Sequence, residues 1–230
     1  MRKANIRRLR PLDYVSEEAL NAICSNLLFA GKQLKKIVIT SCNQGEGKSY
    51  MCMRIAHNLA GRGKRVVLVD ADMRHSALVS RYGIESEGPL LGLTHLLAGS
   101  CGLEAALYQT NVKQLYFIPA GREVANPVPL LNAQAFSDFL DYLARYFDVV
   151  LIDTPPVGMV IDAAEIAGRC DGAILLVKCG LTRRQEVTQA KRQIEQTGCA
   201  VLGCILNQAA PADTGGKKHY HPSRYGAKRA

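Results

Sequence analysis

The sequence predicts a three-layer, doubly wound α/β domain with a mainly parallel sheet. Three observations carry that expectation: short β-branched apolar runs, helix-period segments alternating with them, and a glycine-rich loop between one such run and the helix that follows. Continuous apolar runs belong to strands buried on both faces. Their alternation with helices builds a parallel sheet through right-handed crossovers, and such sheets gather ligands at the carboxyl ends of their strands. At 230 residues and 48% hydrophobic, the chain can fill one large core.

Taken in order, residues 1–13 form a basic N-terminal segment, and residues 14–208 form the domain. The first helix is expected near 17–30, where Ala19, Ile23, Leu27 and Ala30 are spaced as an apolar stripe. Strands follow at Ile37–Ile39, Val66–Val69, Val149–Ile152, Ala173–Val177 and Val201–Leu206, with a weaker one at Leu115–Ile118 before Pro119. Further helices are expected near 48–61, 90–98, 130–146, 162–168 and 183–197. Residues 209–230 have no apolar periodicity and read as a flexible basic tail containing Tyr220 and Tyr225.

The chemistry concentrates at three strand ends. After the Ile37 strand, Gln44-Gly45-Glu46-Gly47-Lys48-Ser49-Tyr50 runs into a helix, which is the strand–loop–helix setting of a phosphate cradle. Its glycines let backbone N–H groups wrap an anion, Lys48 reaches the terminal phosphates of ATP, and the Ser49 hydroxyl can ligate Mg²⁺. The motif G-x-x-x-x-G-K-[ST] is incomplete here, since its first glycine falls on Cys42. Asp70 and Asp72 follow one buried strand and Asp153 another, so all three carboxylates are expected beside the loop. Asp72 and Asp153 join Ser49 as candidate metal ligands, and Lys48, Asp70, Asp72 and Asp153 are the candidate catalytic residues. Asp162 is read as the N-cap of the helix after it.

The charge of +9 is almost all terminal: residues 1–13 and 211–230 each carry +4, leaving about +1 in between. That balance excludes a duplex-binding face on the domain. The two ends are either solvated tails or contacts for anionic lipid or an acidic partner. The eight cysteines include no C-x-x-C pair, as expected in a reducing compartment. No run approaches the roughly 18 to 20 apolar residues of a membrane span, and nothing resembles a signal-peptide core. The five histidines, including His219 and His221 in the tail, have no metal-binding pattern.

Thr40-Ser41 with Gly45–Ser49, then Val69-Asp70-Ala71-Asp72-Met73-Arg74, then Ile152-Asp153-Thr154-Pro155-Pro156 running into Ile161-Asp162-Ala163, together resemble the cytoplasmic ATPase domain of bacterial P-loop tyrosine kinases. Gly92–Gly99 and Asn126–Leu131 extend the likeness, which covers roughly residues 14 to 207. The resemblance implies a P-loop NTPase of MinD/ParA-like fold that autophosphorylates on tyrosine and controls capsule and exopolysaccharide synthesis. It also implies a membrane-anchored co-polymerase as activator, no nucleic acid, and a cytoplasmic position at the inner face of the membrane. Asp70 and Asp72 would supply the base and a metal-shell ligand, Asp153 the Walker B carboxylate, and Asn207 the adenine-side contact. Two departures stand out. Only Tyr220 and Tyr225 occupy the place of a tyrosine cluster, and the Glu-x-x-Arg-x-x-Arg of the subunit-contact helix reads Glu18, Asn21, Cys24, which leaves a homo-oligomer open. The alternatives are a nucleotide-binding scaffold and a partition-type ATPase switch, although positions 41–44 lack that switch's extra lysine.

Overall fold

The computed structural model describes residues 2–31 and 33–209. In chain order the elements are β1 (Arg2–Ile6), α1 (Tyr14–Phe29), β2 (Lys36–Ser41), α2 (Lys48–Gly61), β3 (Val66–Asp70), α3 (Leu78–Tyr82), β4 (Ile84–Ser86), α4 (Leu93–Leu97) and α5 (Leu103–Ala106). They continue as β5 (Tyr108–Thr110), β6 (Leu115–Ile118), α6 (Val128–Asn132), α7 (Gln134–Tyr146), β7 (Val149–Asp153), α8 (Asp162–Ala167), β8 (Gly172–Lys178), α9 (Arg184–Glu195) and β9 (Val201–Asn207). The strands form one sheet in the order β4-β1-β5-β6-β3-β7-β2-β8-β9. Among the described residues only the β1–β4 and β5–β6 pairs are antiparallel.

Successive residues of the central strands feed two separate cores, as the pleat requires. Val38, Val67, Val69, Val150 and Ile152 pack on one face against Phe136, Leu140 and Leu143 of α7. Ile37, Ile39, Val66, Leu68 and Leu151 pack on the other against Met53, Ile55 and Leu59 of α2. Helices on both faces therefore hold β3, β7 and β2 side by side, with their carboxyl ends at one edge of the domain.

Several expectations change. The N-terminal segment is no solvated tail at residues 2–6. Ala4 and Ile6 are buried while Lys3 and Asn5 face solvent, and the strand pairs with both β4 and β5. The basic side chains lie along the rim, where Arg7 Nε reaches Glu85 at 2.7 Å. In α1, Asp13 accepts the Ser16 N–H at 3.0 Å and starts the helix at Tyr14. Its buried line runs through Leu20 and Cys24 rather than Ala19 and Ala30, which are exposed.

The helix expected at 130–146 is broken at Ala133, whose ψ of 143° is extended, and α4 occupies only part of 90–98. The last strand is not buried on both faces. Among the described residues β9 pairs with β8 alone and leaves Leu206 51% exposed, as an edge strand does.

Candidate active site

The loop after β2 meets α2 through two glycines in the left-handed region, Gly45 at φ 80° and Gly47 at φ 97°. A side chain costs extra there. A Cβ on Gly47 would also come within 2.4 Å of the Asn207 amide nitrogen, so a larger residue would have to displace that side chain. Cys42, standing where the motif has its first glycine, shows no positive φ and is 2% exposed. The chain thus needs no glycine at that point. Val157 N–H donates to the Ser41 carbonyl at 2.9 Å and pins the start of the loop to the segment after β7.

Gln44, Gly45, Gly47, Lys48, Ser49, Tyr50 and Asp72 meet at one cleft of about 250 Å³, joined by Arg74, His75, Arg81 and a lip of Pro155, Pro156, Met159 and Val160. Glu46 does not face it. It is fully buried beneath the loop, where its carboxylate accepts the Asn43 N–H at 3.1 Å and the Thr182 hydroxyl. Asn207 stands on the opposite flank, donating from Nδ2 to the Glu46 carbonyl at 2.8 Å. It lines a second hollow of about 410 Å³ with Tyr50 and Met51 of α2 and the start of α1. Tyr220 and Tyr225 lie outside the described residues.

The three acids behave differently. Asp70 and Asp153 are register partners at the ends of β3 and β7, and both are buried. Asp70 accepts the Ser76 hydroxyl at 2.5 Å and the Asp72 N–H at 3.3 Å. Burial, and then the neighbouring Asp153 charge, push its carboxyl well above the usual carboxylate range. Burial likewise pushes Asp153 up to about 6, against the lowering pull of the Ser49 hydroxyl and the Lys48 ammonium. Its Oδ1 is buried without a hydrogen-bond partner among the described residues. Asp72 lines the cleft and accepts the His75 N–H at 3.0 Å.

Asp162 is not an N-cap. The cap is Ile161, and the Asp162 carboxylate, 0% exposed, receives Arg74 Nε at 2.7 Å and Nη2 at 3.0 Å. That fork ties the loop after β3, whose Arg74 lines the cleft, to α8. Neither this pair nor the Thr182 contact was visible in the sequence, because each joins segments far apart in the chain. The site fits magnesium in a particular way. No group of three or more His, Cys, Asp or Glu among the described residues is arranged to hold a metal alone. An unpartnered Asp153 oxygen next to Ser49 suits an ion that keeps one or two protein ligands and takes the rest from phosphate and water.

A glycine loop opening a helix, a buried lysine and paired strand-end acids on a doubly wound sheet define a P-loop nucleotide-binding ATPase fold. Comparison with known proteins narrows the class. The AAA-domain family model matches residues 34–197. The chain is 39% identical over 193 residues to the tyrosine-protein kinase CpsD of Streptococcus pneumoniae serotype 4, covering 84% of each protein. It is 31% identical over 214 residues to the tyrosine-protein kinase YwqD of Bacillus subtilis, covering 92% of this chain and 86% of that one. The solved BceF tyrosine kinase domain superposes with a TM-score of 0.71 at 35% identity, over 81% of this chain and 73% of that one. The chain belongs to the bacterial P-loop tyrosine-protein kinase family and is an ATP-dependent protein-tyrosine kinase.

Proposed function

We propose that this kinase transfers the γ-phosphoryl group of ATP to tyrosine, with Tyr220 and Tyr225 as its own acceptors, and thereby regulates capsular or exopolysaccharide synthesis. The observation that carries the site assignment is the pairing of Asp70 and Asp153 beneath Lys48 and Ser49, with one Asp153 oxygen left unpartnered.

Phosphoryl transfer asks the protein mainly to align acceptor and γ-phosphate and to stabilise charge on the equatorial oxygens. The loop's backbone N–H groups and the Lys48 ammonium would hold the β and γ phosphates. Ser49 and Asp153 would ligate magnesium directly, with Asp72 in its outer shell. When bound, Mg²⁺ neutralises developing negative charge on the bridging and terminal oxygens. Asp70 is sealed from the cleft whereas Asp72 lines it, which supports Asp72 as the carboxylate that receives the tyrosine proton and Asp70 as its buried support. Asn207 and the hollow beside Tyr50 suit the base side of the nucleotide.

No helix among the described residues is long and apolar enough to cross a membrane. A place at the inner face of the cell membrane would come from the partner, a membrane-anchored polysaccharide co-polymerase that activates the kinase. Where the family's contact helix has arginines, α1 instead turns its polar side chains onto its own chain, which leaves a homo-oligomer open. Asn21 is engaged by Asn58 Nδ2 at 2.8 Å, and Arg62 Nη1 donates to Ser25 Oγ at 2.9 Å. The test is incubation of the full chain with ATP and magnesium, followed by mapping phosphotyrosine by mass spectrometry. Modification at Tyr220 or Tyr225 that vanishes in Lys48→Met is the expected result. Hydrolysis without modified tyrosine would favour an ATPase switch, and neither reaction a scaffold.

A further inference from the structure

Glu46 presents a problem that phosphate binding does not explain. It lies between Gly45 and Gly47 in the phosphate loop, yet it is 0% exposed and its carboxylate faces away from the cleft. It makes no ion pair among the described residues. A buried carboxylate supported only by neutral donors is costly, and an apolar side chain of that length would fill the space at less expense. Its retention calls for something that only a fixed, charged acceptor supplies.

The hydrogen bonds show what that is. Oε2 accepts from Asn43 N–H at the beginning of the loop, and Oε1 accepts from the Thr182 hydroxyl in the segment joining β8 to α9. Thr182 is itself held, since its oxygen accepts the Lys178 N–H at 3.1 Å. The main chain of Glu46 is fastened to the same region: Asn207 Nδ2 donates to its carbonyl, and the Asn207 carbonyl accepts the Cys179 N–H at 2.9 Å. One residue of the phosphate loop is thereby clamped, by side chain and by backbone, to the ends of β8 and β9. Hydrogen bonds to an ionised acceptor are short and directional, which suits a clamp whose task is geometric.

The geometry points to Glu46 and Thr182 as a positioning pair that keeps the phosphate loop in its anion-receiving shape. Thr182 lines neither of the two clefts that flank the loop, so its hold on the phosphate loop runs through Glu46. Backbone amides bind phosphate well when they are aimed before it arrives, because no reorganisation is then needed. Loss of the Thr182 hydroxyl leaves a buried carboxylate oxygen without its donor, and the loop is expected to rearrange to solvate it. This inference rests on the cleft being an ATP site.

The experiment compares the full-length wild type with Thr182→Val, Thr182→Ser, Glu46→Gln and the Val/Gln double variant. It measures the Kd for MgATP by calorimetry, steady-state kcat and KM, and thermal melting. The expected result is that Thr182→Val weakens MgATP by roughly tenfold or more, the scale of one hydrogen bond to a charged group. The loss should appear in KM for ATP more than in kcat, and Thr182→Ser should restore it. The double variant should lose little beyond the worse single one, since both substitutions break the same contact. If Thr182→Val melts too low to assay, Glu46→Gln reads the contact from its other end. Wild type that binds MgATP while a folded Thr182→Val or Glu46→Gln binds it within twofold of wild type overturns the pair's role. Wild type that takes up no MgATP overturns the nucleotide assignment, and the pair's role with it.

Discussion

Asp153 is the residue on which the site's electrostatics turn. Burial holds its carboxyl up to about 6 in the folded chain, against 3.8 for the free group. The unfolded chain therefore gives up this proton at lower pH than the folded one, so stability falls as pH rises from about 4 to about 6 and does not return above that window. Asp70 beside it is raised as well, which adds to the same trend. Replacing Asp153 with Asn removes the titration. The apo variant should gain on the order of 2 to 3 kcal/mol at pH 7.5 relative to wild type, show a flatter profile in urea melts between pH 5 and 7.5, and lose transferase activity. A variant less stable than wild type at pH 7.5 would contradict this account. Asp70, Asp72 and Asp153 were legible in the sequence because each follows an uninterrupted apolar run, and such a run fixes where the strand ends. Glu46 was legible only as a loop residue. Its partner Thr182 lies 136 positions away, and no local pattern marks a contact over that distance.

Among the elements, the tie between the loop after β3 and α8 has the clearest energetic consequence. Arg74 grips the fully buried Asp162 with two nitrogens and donates from Nη1 to the Ala125 carbonyl at 2.5 Å. Removing the cation leaves a buried unpaired charge, which costs about 3 to 5 kcal/mol, whereas removing both ions costs far less. Arg74→Met should therefore lower stability by about that much in denaturant melts, and adding Asp162→Asn should recover most of it. Equal loss in the single and double variants would show that the pair does not act as a unit. Local reasoning assigned Asp162 to capping because an acid before Ala163 and Ala164 looks like a cap. The winning interaction comes from the loop after β3, 88 positions earlier. The strands β2, β3, β7 and β8 were readable for the same reason as their acids, while β1 was not. With two apolar residues among five, its strand character comes from pairing with β4 and β5.

At the scale of the whole molecule, phosphate loop, acids and Asn207 are all contributed by residues up to 207, and they rest on a sheet with a core on each face. The two proposed acceptor tyrosines come after this unit. The chain is thus expected to divide its work, with residues 1–209 holding nucleotide and the remainder offering hydroxyls. The β1 strand belongs to the nucleotide-holding part, because Ala4 and Ile6 fill the core behind α3 and β4.

The most direct test is calorimetric titration of the full chain and of a form ending at Ala209 with ATP, in magnesium and in EDTA. Both forms are predicted to take up one nucleotide per chain with similar affinity in magnesium and to lose most of that affinity in EDTA. Uptake unaffected by EDTA, or no uptake by the intact chain, would contradict the assignment of this cleft.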